Sequence, residues 1–424
     1  MYNKGEFIMK KIKVGIFGVG TRGYDLGKQF MMLGCEIVAL CEPREDAIKK
    51  AVDFFGSDVA HYYSFDEFIN HPMDVVLLTN NFQEHAPYAI KCMKKGIHVF
   101  SECISNGTMA EGVELIEAYE NSNAIYMLAE NYPFMIFNRE IKKVCSNGSL
   151  GKILYAEGEY NHPVSPNDSA FAKLYNYYPG HWRNYTPTTY YITHSLGPIM
   201  YATGATPRKV TAFNVFLPFD DNQPTAKNVG DRVSLIMTQN DDGSVFRVTG
   251  CAAFGAHHKS YRVCGTKGQV ENLRGMGTNV MVRYNKWDAP EGFDENNMYE
   301  PKWNDPDEEL IRKSGHGGAD YVTGRYFLDC VRAGKQPEHP FNVYSAVAMS
   351  SVAILAHRSV LNGNMPYDIP DFRDKNAREQ YRNDRQTPFF GADGSEPNIP
   401  CSSVPEYKVS ENQLKLYKEA LNSK

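Results

Sequence analysis

The sequence predicts an α/β protein, with an N-terminal doubly wound parallel sheet followed by an α+β C-terminal domain whose open sheet is mostly antiparallel. Three observations carry that prediction. Lys11 to Gly23 reads KIKVGIFGVGTRG, an apolar run that breaks into three glycines spaced GxGxxG. Short apolar runs then alternate with helical periodicity as far as Asn131, as in repeated βαβ units. Beyond Asn131 the strand-like runs lengthen and a hairpin signal appears.

In the first unit Ile12, Val14 and Ile16 alternate as in a strand, and Leu26, Phe30 and Leu33 recur at helical spacing up to Gly34. The turn between them needs glycine for three reasons. Gly18 reverses the chain, Gly20 lets a pyrophosphate approach the backbone, and Gly23 lets the helix pack closely on the strand, with Thr21 and Arg22 at its N-terminus. A second run, Ile37 to Leu40, leads to Glu42, nineteen residues beyond Gly23, where a carboxylate would accept the hydrogen bonds of an adenosine ribose. This is the Rossmann pattern. Its carboxylate would repel a 2′-phosphate and favours NAD, with Arg44 leaving NADP open.

The elements continue in order. A helix is expected over Asp46 to Phe55, a buried strand over Asp74 to Leu78, and a polar loop from Thr79 to His85. A helix then ends near Lys95, with Gly96 as its cap. His98 to Phe100 reads as the next strand, followed by Ser101, Glu102 and Cys103. A helix over Met109 to Asn121 and a strand over Ala124 to Leu128 complete this half. In such a sheet the ligand lies off the carboxyl ends of the strands, so Gly18 to Gly23, Glu42, Thr79 to His85, Glu102 and Asn131 should meet in one crevice.

After Asn131 a helix is expected over Phe134 to Cys145. Strands follow at Ile153 to Tyr160, Val233 to Thr238, Val245 to Ala252 and Tyr261 to Cys264, with Asp241-Asp242-Gly243 as a hairpin turn. One face of their sheet should be free to cover the crevice. A last amphipathic helix is expected over Tyr321 to Val331. The expected division is a tail over 1–9, the nucleotide domain over 10–132, the α+β domain over 133–372, and a polar arm over 373–424 that wraps the surface or reaches a neighbouring subunit.

A formal net charge of −5 with both signs interspersed gives no footprint for nucleic acid. The nine cysteines include no CxxC pair, so neither a disulfide framework nor a metal site is expected. The first residues hold no apolar core of signal-peptide length and no run was read as a membrane span, which leads to the expectation of a cytoplasmic protein.

GVGTRG, Glu42, the loop ending in His85, GIHVFSE and an antiparallel second half together resemble the Gfo/Idh/MocA oxidoreductases. Most of that family follows the fourth strand with Glu-Lys-Pro, whose lysine assists hydride transfer at a hydroxyl carbon. This chain has Glu102-Cys103-Ile104 instead. Tyr160-Asn161-His162, His181-Trp182-Arg183, Tyr191-Ile192-Thr193-His194, Leu196-Gly197-Pro198 and Gly315-His316-Gly317-Gly318 before Asp320-Tyr321 are similar to the NAD-dependent glycosidases of glycoside hydrolase family 109, which also lack the lysine. The resemblance implies NAD contacts from Gly18, Gly20, Thr21, Arg22, Gly23, Glu42, Phe82, Gln83, Glu84, His85, Glu102, Cys103 and Asn131. It implies sugar contacts from Tyr160, Arg183, Tyr191, Ile192, Thr193, His194 and Tyr261. Cleavage of α-N-acetylgalactosaminides is that family's known activity.

Chemistry argues the same way. Ordinary glycosidases set two carboxylates across the bond, and NAD-dependent ones depart from that plan. Oxidising the C3 hydroxyl to a ketone acidifies the C2 proton, so a base can remove it and expel the C1 substituent. Water then adds and the hydride returns. Histidine and tyrosine suit the two proton transfers, the tyrosine helped by a cation such as Arg183. His194 and Tyr160 are the expected catalytic pair, with their division of labour open. The rivals are a sugar or polyol dehydrogenase with net hydride transfer and a non-catalytic NAD-binding regulator. The expected partners are a small carbohydrate and further copies of the chain, as a dimer or tetramer.

Overall fold

The computed structural model describes residues 11–163, 181–250, 254–391 and 393–422. The expected tail over 1–9 lies outside them, as do 251 and 252 of the strand expected to end at Ala252. The first sheet holds β1 (Lys13–Phe17), β2 (Glu36–Cys41), β3 (Ala60–Tyr62), β4 (Val75–Leu78), β5 (His98–Ser101) and β6 (Tyr126–Leu128). Its order is β3-β2-β1-β4-β5-β6 and every pairing is parallel. The strand order reverses between β1 and β4, which opens a crevice at their carboxyl ends. Helix α1 (Thr21–Met32) begins there.

Helices α2 (Glu45–Phe55), α3 (Phe65–Phe68), α4 (His85–Lys94) and α5 (Met109–Glu120) connect these strands. Thr108 caps α5 through a reciprocal box, accepting from Glu111 N while the Glu111 carboxylate accepts from Thr108 N. The helix expected from Phe134 is α6 (Ile136–Ser146), because Pro133 first tightens Tyr132–Phe134 into a 3₁₀ turn.

The second sheet, which includes β12 (Gly268–Asn272), β13 (Val280–Tyr284), β14 (Asn296–Tyr299) and β15 (Tyr367–Asp368), has the order β14-β13-β12-β11-β7-β10-β9-β8-β15. It is antiparallel except for one parallel pair, β10 (Val245–Thr249) on β7 (Ile153–Asn161). The strands β9 (Asp231–Asn240) and β11 (His258–Gly265) extend past the expected bounds, and β8 (Pro207–Phe216) is a strand that was not expected. The sheet does not cover the crevice with a free face. The face carrying Ala156, Tyr160, Tyr261 and Val263 is buried, whereas Phe213, Val215 and Leu235 stand exposed on the opposite face.

Tyr321 to Val331 proved not to be the last helix. After α7 (Thr193–Thr203), α8 (Glu308–Lys313) and α9 (Ala319–Ala333) comes α10 (Val343–Leu361), which is long and apolar enough to cross a membrane, with a mean hydropathy of 1.2. It is 89% buried between β8 and the α5 and β6 layer, so its composition serves a core. The α9 helix packs on α1, where a Cβ on Gly324 would come 2.9 Å from Leu33.

The polar segment after Pro370 packs on its own chain. Buried Arg378 in α11 (Lys375–Glu379) donates to both carboxylate oxygens of Glu120, at 2.8 and 2.7 Å, and to Phe372 O at 2.9 Å. Arg358 pairs with Asp384, and Phe389 packs against Tyr190 and Phe82. Truncating Arg378 to alanine leaves Glu120 without its bidentate partner and should cost about 3 kcal/mol. A lowered urea midpoint would register that loss; an unchanged one would show that the segment adds no stability.

Candidate active site

Gly18 has φ +90°, and a Cβ there would lie 2.5 Å from Asn80 N. A Cβ on Gly23 would lie 2.1 Å from Gly18 O, so the start of α1 is drawn hard against the turn. Nothing lies within 4 Å of the Cβ position of Gly20, which leaves its backbone open. The Gly20 N-cap supplies no side-chain bond to α1 and the first turn holds no acidic residue, so the first amides of the helix favour an anion. Both amide atoms of Asn80 are buried without a partner among the described residues. Glu42 stands at the end of β2, its carboxylate accepting from Arg44 N at 3.3 Å. These features fit a dinucleotide.

The other expected cofactor residues gather around this cradle. Arg22 pairs with Glu102 and donates to Asp320 Oδ1 at 3.1 Å, which also accepts from Asn131 Nδ2 at 2.7 Å. Asp320 Oδ2 accepts from His316 Nδ1 at 2.9 Å. Burial opposes ionisation of Asp320, yet Arg22 and His316 hold its carboxyl well below the usual range. His85 is buried with Nδ1 on Ile104 O at 2.8 Å, and burial lowers its basicity. Phe82 stacks on Trp182 at 5.1 Å, closing one wall. Gln83 donates to Glu84 at 3.2 Å, and burial raises the Glu84 carboxyl.

Glu130, fully buried just after β6, is the centre of the second group. Its oxygens accept from His194 Nδ1 at 2.8 and 3.0 Å, from Tyr132 N at 3.1 Å and from the Cys103 thiol at 3.3 Å. Burial would raise this carboxyl, but His194 and Thr193 bring it below its ordinary value. With Nδ1 donating to the carboxylate, Nε2 is the ring nitrogen left for a substrate. The Tyr132 ring stacks on His194 at 3.9 Å and 10°, and Tyr160 stands edge-on to both at 5.3 Å. Tyr191 lies edge-on to His194 at 5.4 Å.

Local sequence explains how His194 is held. Pro198, inside α7, has no N–H for the His194 carbonyl four residues earlier. The Tyr261 hydroxyl donates to that carbonyl instead, at 2.6 Å. A Cβ on Gly158 would meet Ser195 O at 2.1 Å, so only glycine lets β7 approach the start of α7.

Several expected substrate contacts therefore have other surroundings. Tyr261 is 1% exposed with its hydroxyl engaged. Ile192 and Thr193 are buried, with the Thr193 hydroxyl turned to Glu130 and Cys103. Arg183 stacks on Trp182 at 4.4 Å. Cys103 is buried, and burial with Glu130 and Glu102 pushes its thiol well above the ordinary value, so it stays protonated. Sequence reasoning placed Asn80 in the crevice only as part of the loop from Thr79 to His85, and gave no role to Glu130, Tyr132 and Asp320. Asn80 and Glu130 each lie two residues beyond the end of a strand, the position that could have marked them.

Fold and site together define a dinucleotide-binding enzyme of the oxidoreductase type. A family model described as "Oxidoreductase family, NAD-binding Rossmann fold" of the Gfo/Idh/MocA group matches residues 12–130, and one described as "Glycosyl hydrolase 109, C-terminal domain" matches residues 219–379. The chain thus joins an NAD-binding domain of the Gfo/Idh/MocA oxidoreductase type to a C-terminal domain of the glycosyl hydrolase 109 type. It is 26% identical over 408 residues to an alpha-N-acetylgalactosaminidase of Shewanella oneidensis, covering 86% of this chain and 85% of the relative. A glycosyl hydrolase family 109 protein of Shewanella sp. ANA-3 is 26% identical over 410 residues, with the same coverage. Among solved structures, a levoglucosan dehydrogenase in complex with NADH and levoglucosan shares the fold, with a TM-score of 0.70 and 16% identity over 85% of this chain and 100% of that one. Myo-inositol 2-dehydrogenase from Lactobacillus plantarum has a TM-score of 0.63 at 20% identity, over 85% and 100% of the respective chains.

Because the Asp320 carboxyl is depressed in the folded chain, its stabilising effect is full above the ordinary carboxylate value of about 3.9 and is lost as pH falls toward the folded value. Asp320→Asn should accordingly lower the urea midpoint at pH 7, and the gap to the parent should narrow between about pH 4 and pH 3. A gap that stays constant over that range would contradict the ion network.

Proposed function

We propose that this enzyme cleaves a glycoside by transient oxidation at the sugar's C3, with elimination across C1 and C2, addition of water and restoration of C3. The turn of Gly18 to Gly23 and the carboxylate of Glu42 would hold NAD, which would supply a reversible hydride acceptor for C3, so that no net oxidation accumulates. Thr21, Arg22, Phe82 to His85, Asn80, Glu102, Cys103 and Asn131 would line the rest of that crevice.

The observation that carries the reading is the pairing of His194 with buried Glu130 beside Tyr160, at the place where Cys103 stands in for the family's lysine. A protonated Cys103 thiol that donates to Glu130 cannot take a proton from the sugar. His194 and Tyr160 remain for the two proton transfers, from the C3 hydroxyl and from C2. Glu130 keeps His194 in the tautomer that presents Nε2 and steadies the ring when it is charged. Tyr191 and Arg183 supply hydrogen-bonding and stacking contacts at the rim. The similarity to an alpha-N-acetylgalactosaminidase makes α-N-acetylgalactosaminides the first substrates to examine.

The same reading has the chain cytoplasmic and self-associating. The eight described cysteines are free, and Phe213, Val215 and Leu235 offer an exposed apolar strip on the open sheet face.

A panel of nitrophenyl glycosides in heavy water tests the chemistry. We expect phenol release without accumulating NADH and deuterium at C2 of the product. Steady NADH formation on free sugars without phenol release would instead indicate a dehydrogenase. His194→Ala should lower turnover on the order of 10²–10⁴-fold while leaving NAD affinity unchanged; equal turnover would remove His194 from the reaction.

A further inference from the structure

The second sheet delivers a cation to the site that the Tyr160 motif does not contain. In the antiparallel pairing of β11 with β7, Lys259 lies opposite Tyr160, and Tyr261 opposite Gly158. Directly opposed residues stand with Cβ atoms about 4.5–5.5 Å apart on one face of the sheet. Period-two alternation therefore places Lys259 on the buried face with Tyr160 and Tyr261, while Arg262 pairs with Glu157 and His258 with Glu159 on the other face. The Lys259 ammonium sits 5.1 Å from the Tyr132 ring centroid, and Tyr132 hydrogen-bonds with Tyr160.

We propose that Lys259 is a positioning residue, whose ammonium favours the phenolate form of Tyr160 and so prepares that oxygen to take a proton from the substrate. The inference rests on the assignment of Tyr160 to proton transfer. Among the described residues, the groups facing this corner are Tyr132 from the 3₁₀ turn, His162 at the end of β7, Tyr191 and His194 at the start of α7, and His257 before β11, with Glu130 behind His194. Glu130 is the one carboxylate among them and is occupied by His194. No carboxylate is paired with Lys259 among the described residues. Burial alone draws the Lys259 ammonium below the usual lysine range, as expected for a half-buried cation awaiting a counter-charge. A phenolate across the strand supplies that charge. Burial holds the Tyr132 phenol well above its ordinary value, so Tyr132 stays protonated beside Tyr160. In the step itself the phenolate oxygen forms the new O–H bond and the electron pair of the broken substrate bond stays on the sugar. Lys259 keeps its proton throughout. Arg183, the cation expected in this role, stacks on Trp182.

The test titrates Tyr160 directly, in the NAD-loaded full chain labelled with 3-fluorotyrosine. Its fluorine resonance is assigned by its loss in Tyr160→Phe. We expect Lys259→Met, or Lys259→Gln if the first variant folds poorly, to raise the Tyr160 midpoint by about one pH unit, a tenfold change in its ionisation constant. Lys259→Arg should restore it to within about 0.3 unit of the parent. An unmoved midpoint in both neutral variants, or an equal rise in the arginine variant, would overturn the proposal. No sugar is present, so the outcome is independent of the glycoside assay: a shifted midpoint in a protein that cleaves no glycoside would sink the glycosidase reading and leave the Lys259 and Tyr160 coupling standing.

Discussion

The site depends on one buried carboxylate. An ionised Glu130 with no solvent contact is tolerable only when its oxygens are filled by donors. His194, Thr193, the Tyr132 amide and Cys103 do this. Those four donors come from three separate stretches of chain. Satisfying one group therefore fixes the end of β6, the loop after β5 and the start of α7 relative to one another. The replacement of the family's lysine by Cys103 follows the same logic. A lysine at that position would bring a second cation against Glu130 in competition with His194, whereas a neutral thiol adds a donor without a charge.

A second network ties the cofactor cradle to the rest of the chain. Arg22 leaves the glycine turn and reaches Glu102 from β5 and Asp320 from the start of α9. Because α9 lies on α1 through Gly324, two helices nearly three hundred residues apart begin at the same crevice. Asn131 and His316 complete the coordination of Asp320. The two networks adjoin at Asn131 and Glu130, consecutive residues that join the Asp320 network and the His194 network respectively.

Close backbone approaches make this compactness attainable. Gly23 against Gly18 O, and Gly158 against Ser195 O, are contacts that any Cβ would block. Pro198 frees the His194 carbonyl for Tyr261, so a residue outside the helix holds its first turn. The C-terminal segment adds a clasp over α5 and α10, using Arg378, Arg382 and Arg385 on Glu120, Glu117 and Glu114.

Local features were legible in the sequence because they rest on local rules. The apolar periodicity, the three glycines and the carboxylate at Glu42 mark the Rossmann turn without reference to anything distant. The histidine and tyrosine motifs pointed to His194 and Tyr160, whose rings the fold brings together. The helix over Val343–Leu361 escaped notice because it is apolar on all sides, and a helix buried all round shows no amphipathic stripe. The roles of Tyr261, Glu130, Asp320 and Lys259 were decided by tertiary structure alone. Tyr261 is drawn inward by a carbonyl that Pro198 leaves open, and Asp320 meets Arg22 only because α9 returns to α1. Lys259 faces Tyr160 only through the register of β11 on β7, where a slip of one residue would turn it to the opposite face. Sequence determines which groups are available. Long-range register and the need to satisfy buried charge decide which of them meet.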